Sequence, residues 1–160
     1  MKKLFLDLIP QTSWYTNLRA VLTEAEWLNV RRQVYKKYNY KCSICGGKGD
    51  KHPVEAHERW TYNFETKTQQ LVDIVALCPN CHMVTHYGLA IVQKKDKIAF
   101  NHLMSVNKIT AEEAQIIIKN GFEKWNGRNQ IKWKVDMNWL IKYFIKNLST
   151  KTIETLKIIK

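Results

Sequence analysis

The chain has 160 residues and is 45% hydrophobic, with six Trp, seven Tyr and five Phe, enough for a core that does not depend wholly on a metal. Its 26 Lys+Arg against 14 Asp+Glu, a formal charge of +12, point to a polyanionic partner, nucleic acid first. Scarce glycine and proline exclude low-complexity linkers, and no run approaches the ~18 apolar residues of a membrane-spanning helix. A single domain over residues 1–160, cytoplasmic and without a membrane partner, is the expectation.

Taken in order, Met1-Lys2-Lys3 and the apolar run after it mimic a signal peptide, but Asp7 breaks the run and no small-residue cleavage site follows. Residues 4–9 read as a short strand or an irregular apolar anchor. Trp14, Leu18 and Val21-Leu22 read as packing residues. Thr23-x-x-Glu26 is a capping box that starts a helix to about residue 38, with Trp27, Val30, Val34 and Tyr38 on its inner face. Tyr40 to Gly47 reads as a zinc knuckle carrying Cys42 and Cys45. Residues 54–64 and 69–77 read as two strands joined by a turn at Glu65-Thr66-Lys67. Residues 78–86 then open a short helix that Gly88 ends. Further helices are predicted over 94–107 and, from the capping box Thr110-x-x-Glu113, over 111–125. Gly121 is a blemish inside the second, and Asn126-Gly127 is a turn signal after it. Residues 131–135 read as a short extended segment. Asp136 caps a helix to about Leu148, and residues 149–160 add a last helix or a basic tail. The segments 11–40 and 94–160 are thus helical flanks to a centre at about 41–88.

Two C-x2-C pairs, Cys42/Cys45 and Cys78/Cys81, have 32 residues between them. Reduced thiols in that pattern point to one tetrahedral zinc stapling the base of a β-hairpin. Mixed ligation with His82 or His86, or redox-active thiols, are the alternatives. If the cysteines close the zinc shell, His57, His82 and His86 are left for other work. His82 and His86, at i and i+4, share a helical face and can hold a second divalent ion. His57, on the neighbouring strand, has an ordinary pKa near 6.5 that suits a general base. A strand-borne base, a helix-borne metal pair and a basic chain together describe phosphodiester hydrolysis.

Cys42-x2-Cys45-Gly46, Val54-Glu55-Ala56-His57 and Asp73-Ile74-Val75-Ala76-Leu77-Cys78-x2-Cys81-His82-x3-His86 resemble the HNH endonucleases, in a subgroup stapled by two C-x2-C pairs. The resemblance covers about residues 41–88. It implies an α+β protein with a ββα-metal core and a structural zinc, embedded in flanking helices. It implies metal-dependent nicking of DNA, most readily duplex DNA. His57 would be the general base, Asp73 would take the place of a bracing asparagine, and His82 and His86 would hold a catalytic Mg, Mn, Ni or Zn ion. Ala56 stands where the family commonly has a metal-binding Asp or His, so either Glu55 or Glu58 replaces it, or the ion has only two protein ligands, or catalysis is lost.

Arg59, Trp60, Arg31 and Arg32 are candidate nucleic-acid contacts. The C-terminal lysines, Lys142, Lys146, Lys151, Lys157 and Lys160, either track a DNA backbone or solubilise a helix. His52 and His102 read as ordinary surface or structural residues. The rival reading, motivated by Ala56, is an inactive zinc-stapled module that binds nucleic acid or another protein. A homodimer is compatible with either reading.

Overall fold

The computed structural model describes residues 4–158; the opening Met1-Lys2-Lys3 and Lys160 lie outside them. The architecture is α+β, with eight α-helices, two short 3-10 turns and one three-stranded mixed sheet among the described residues. Strands β1 (Glu55–Asn63) and β2 (Thr68–Leu77) form an antiparallel hairpin, and β3 (Lys134–Asp136) adds to β2 in parallel. Lys67, at φ 53°, takes the left-handed position in the hairpin turn.

The sheet separates two cores. Pairing aligns His57 with Val75 and Glu55 with Leu77. In an antiparallel ladder such partners share a face, so Ala56 and Glu58 must face the other way. One core gathers Trp60, Leu71, Ile74 and Ala76 with α1 (Leu18–Val21), α2 (Glu24–Lys37), α7 (Asn138–Phe144) and α8 (Thr150–Ile158). The other gathers Val75 and Leu77 with Leu4, Leu6 and three of the cysteines. It also takes residues from α3 (Pro79–Thr85), α4 (Tyr87–Val92), α5 (Asp96–Asn107) and α6 (Ala111–Asn129). A register shift lies between Arg59 and Trp60, and it lets Trp60 pack with Leu71 in the first core.

Both capping boxes form as read. Thr23 and Glu26 exchange side-chain and backbone bonds at the start of α2, and Thr110 and Glu113 do the same for α6. Two breakers do not break. Gly88 lies inside α4, and the interruption falls earlier, at His86, where φ −98° and ψ 47° end α3. Asn126 and Gly127 lie inside α6, which runs to Asn129. Tertiary bonds outweigh local propensity there: the Trp125 indole N–H donates to the Ile9 carbonyl, and the Arg128 guanidinium to the Leu8 carbonyl.

Residues 4–10 are neither strand nor helix but an extended strap. Leu4 N–H donates to Asn107 Oδ1 at 2.8 Å, the Asn107 amide returns a bond to the Leu4 carbonyl, and Asp7 N–H donates to the Thr85 carbonyl at 3.0 Å. Gly121 makes room for the strap, because a Cβ there would lie 2.8 Å from Leu6 Cβ. The apparent blemish in α6 is therefore where that helix lets Leu6 of the strap pack against it. No described helix is long and apolar enough to cross a membrane.

Candidate metal centres

The first centre sits at the base of the hairpin. Cys42 N–H donates to the Gly47 carbonyl, Gly46 N–H to the Cys42 carbonyl, and Gly46 takes φ +74°, closing a tight knuckle. Ser43 N–H donates to the Ala76 carbonyl and ties that knuckle to β2. Cys78 is the N-cap of α3, its sulfur accepting from Cys81 N–H, with Pro79 starting the first turn.

The four thiols are unpaired as disulfides, and their sulfurs all lie within 4.8 Å of one another. The sulfurs of Cys45 and Cys78 are 3.6 Å apart. A tetrahedral zinc with Zn–S near 2.3 Å places its sulfurs roughly 3.8 Å apart, so the donor set fits that ion. Hydrogen bonds from Cys78 and Cys81 hold the Cys42 thiol far below its ordinary pKa, while Cys42 in turn pushes Cys78 up to about 12 and, with Cys78, pushes Cys81 higher still. Thiolates this crowded need a cation before more than one of them can ionise. His102, on α5, brings Nε2 within 3.2 Å of Cys81 Sγ, where its N–H can donate to a thiolate. That contact gives His102 a structural role, one of the two readings its sequence position left open.

The second centre lies across α3. His57 on β1 faces His82 and His86, with ring centroids 5.4 Å and 4.9 Å away; His82 and His86 are 4.6 Å apart. One nitrogen of each ring falls within 4.8 Å of the others, so the three can reach a common ion. Burial lowers His57 to about 4 rather than leaving it near 6.5. Burial, with the charges of His57 and His82, lowers His86 to about 3. Both rings are therefore neutral at physiological pH, the form in which imidazole binds metal or accepts a proton.

Carboxylates surround this cluster. Glu55 Oε2 bonds His82 Nδ1 and Glu55 Oε1 bonds His52 Nε2; the His82 bond, aided by His52, draws the Glu55 carboxyl down to about 2. With Nδ1 occupied, His82 presents Nε2 as its free ligand atom. Asp7, buried on the strap, approaches His57 Nε2 at 3.6 Å and accepts from Arg59 Nη1 at 2.9 Å. Burial opposes its ionisation, but the His57 ring and the Arg59 guanidinium outweigh it and hold Asp7 below the usual carboxylate range. His57 Nε2 is itself buried with no hydrogen-bond partner.

Of the two glutamates that could stand in for Ala56, it is Glu55 that reaches the cluster. Glu58 faces the other core, accepts from Leu18 N–H, and is pushed up by burial. Asp73 is not brought to the histidines: it pairs with Lys37 at 3.6 Å and accepts from Ile74 N–H. Trp60 is buried in the first core, so it is no surface platform for a base. Arg59 is held between Asp7 and the Phe5 ring beside the histidines. Arg31 lines a cleft that reaches His82, and Arg32 is exposed on α2. Asp7, His52 and His102 were not singled out by sequence. Asp7 did carry a signal, since an acid inside an apolar run is buried only when it is paired.

Comparisons of the chain with protein-family models, with curated proteins and with solved structures returned no match. The geometry of the two centres therefore carries the functional reading.

Proposed function

We propose that the chain is a metal-dependent endonuclease of the HNH kind, with β1, β2 and α3 as a ββα-metal core and a zinc held by Cys42, Cys45, Cys78 and Cys81. The observation that carries this reading is the facing of His57 toward His82 and His86, within 4.8 Å, beside a separate four-cysteine cluster. A divalent ion held by His82 and His86 would stabilise the charge that develops on the phosphate and on the leaving 3′ oxygen. His57 turns Nε2 toward Asp7, which leaves Nδ1 to take a proton from the attacking water. Asp7 and Arg59 orient that ring, and Glu55 fixes the tautomer of His82. Water then adds to phosphorus, the 3′ oxygen departs and gains a proton from solvent, and the ends are 5′-phosphate and 3′-hydroxyl. DNA, with a formal charge of +12 to attract it, is the proposed substrate.

The same closeness favours one rival. If His57 is a third ligand to the ion, no base remains, and the chain is a zinc-stapled module that binds nucleic acid or protein. Supercoiled plasmid incubated with Mg, Mn, Ni or Zn, beside His57→Ala and His82→Ala, separates the two. Nicking that needs metal and is lost in His57→Ala, while both metal equivalents are retained, supports the nuclease. Loss of one metal equivalent in His57→Ala, with no nicking by the unmodified chain, supports the rival.

A further inference from the structure

A cleft of about 540 Å³ opens beside the histidine cluster, with Arg19, Arg31, Tyr35, Tyr40, His52 and His82 in its lining. Its two arginines share one platform: the Arg19 and Arg31 guanidiniums stand 6.0 Å and 5.8 Å from the ring of the buried Trp27. Among the described residues neither guanidinium has a carboxylate in ion-pair range, and Arg31 Nε is buried with no hydrogen-bond partner. The acid in the cleft, Glu55, is committed to His82 and His52. Guanidiniums stacked on an indole keep their planar donor edges free for an anion.

We propose that Arg19 and Arg31 form a phosphate clamp for the nucleic-acid strand being cut, holding a backbone phosphate next to the one presented to His82. The inference rests on the nuclease reading for the identity of the strand, not for the anion site itself. A guanidinium pair matches the oxygens of a phosphate in a bidentate manner. Tyr40, about half exposed and held at φ 55°, puts an aromatic face beside that phosphate, where a sugar or base can lie against it. Ala56 also lines this cleft. A carboxylate at that position would set a negative charge in the strand's path, so the departure from the HNH pattern coincides with an anion route to the metal.

The test uses the full chain, Arg19→Gln/Arg31→Gln, and a Lys124→Gln/Lys132→Gln control that removes the same charge elsewhere. Anisotropy of a fluorescein-labelled duplex, without added divalent ion and over a salt series, is read beside plasmid nicking in Mn. The clamp predicts about tenfold weaker binding or more in the arginine variant and a salt slope reduced by ~1–2, with a raised KM and little change in kcat. The control should shift affinity much less. Equal losses in the two variants would reduce the arginines to bulk charge and overturn the clamp. Nicking with an unaffected arginine variant overturns the clamp and leaves the nuclease. Arginine-dependent binding without nicking leaves the clamp and overturns the nuclease. Thermal melts guard against misfolding, and Arg19→Lys/Arg31→Lys, which keeps charge but loses the fork, should bind with intermediate affinity.

Discussion

Asp7 supplies the histidine cluster with a buried negative charge that no residue of the hairpin provides. Asp7→Asn keeps the side chain's size but removes the partner of both His57 and Arg59. Under the proposed nuclease function, nicking should fall ~10–100-fold in kcat, with KM and zinc content little changed, as kinetics and elemental analysis would show. Glu55 acts one step further out, through the ring of His82. Under the proposed function, Glu55→Gln should weaken a divalent ion titrated onto the histidines ~10–100-fold by calorimetry and leave zinc uptake by the cysteines unchanged. At this scale the clustering of the four cysteines, and of His57, His82 and His86, was legible in the sequence, because candidate ligands recur at short spacings within each motif. Asp7 and His102 were not, since each meets its partner across a distance that no local spacing encodes. His57 was legible in place but not in character, because its pKa is set by burial, which a sequence shows only indirectly.

Glu26 shows how one helix cap serves a second element. Its carboxylate accepts from Thr23 N–H, from Ser149 N–H at 2.7 Å and from Thr152 Oγ1 at 3.0 Å, clasping α2 to the start of α8. Burial opposes its ionisation, but the bonds from Ser149, Thr23 and Thr152 lower it to about 2. A depressed carboxylate contributes stability that is present above its unfolded pKa, near 4.5, and is lost as pH falls from there through about 2. Glu26→Gln should therefore lower Tm at pH 7 and flatten the acid limb of a stability-against-pH series over that window. Gly121→Ala tests the other contact between elements. Its Cβ would meet Leu6 Cβ at 2.8 Å, and overpacking of this kind costs roughly 1–3 kcal/mol. The melting temperature should drop by several degrees, with nicking reduced further because Leu6 adjoins Asp7. The capping boxes were readable because they are local hydrogen-bond grammar. Gly88 and Asn126-Gly127 misled because glycine and asparagine favour a turn without requiring one, whereas Gly121, read as lying inside the helix, is there because Leu6 packs against it.

Across the whole molecule, the sheet divides the labour of folding. The core containing Trp27, Trp60 and Leu140 holds no cysteine, whereas Cys42, Cys78 and Cys81 belong to the core on the other face. Removing zinc with a chelator should therefore lower Tm while much of the helical circular dichroism survives, unlike a finger that unfolds outright without metal. Because Cys78 and Cys81 are pushed up, zinc uptake must expel protons, and zinc affinity should weaken steadily as pH falls. Calorimetry in buffers of differing ionisation enthalpy reads that proton release directly. The hairpin and the cysteine staple's position were visible in the sequence as alternation and spacing. The two-core division was not, because it depends on which face of β1 and β2 each flanking helix covers.

The strap has a consequence for the order in which the protein is made. Leu4 is synthesised 103 residues before its bonding partner Asn107, and the carbonyls of Leu8 and Ile9 wait for Arg128 and Trp125, 120 and 116 residues on. The cysteines and all three cluster histidines are synthesised well before those partners, so a nascent chain carries both ligand sets before Asp7 can be seated among them. Synthesis itself thus acts as a delay on assembly of the cluster. Ribosome-arrested chains of increasing length should take up zinc once α3 has emerged, but should nick plasmid only after α6 is clear of the exit tunnel.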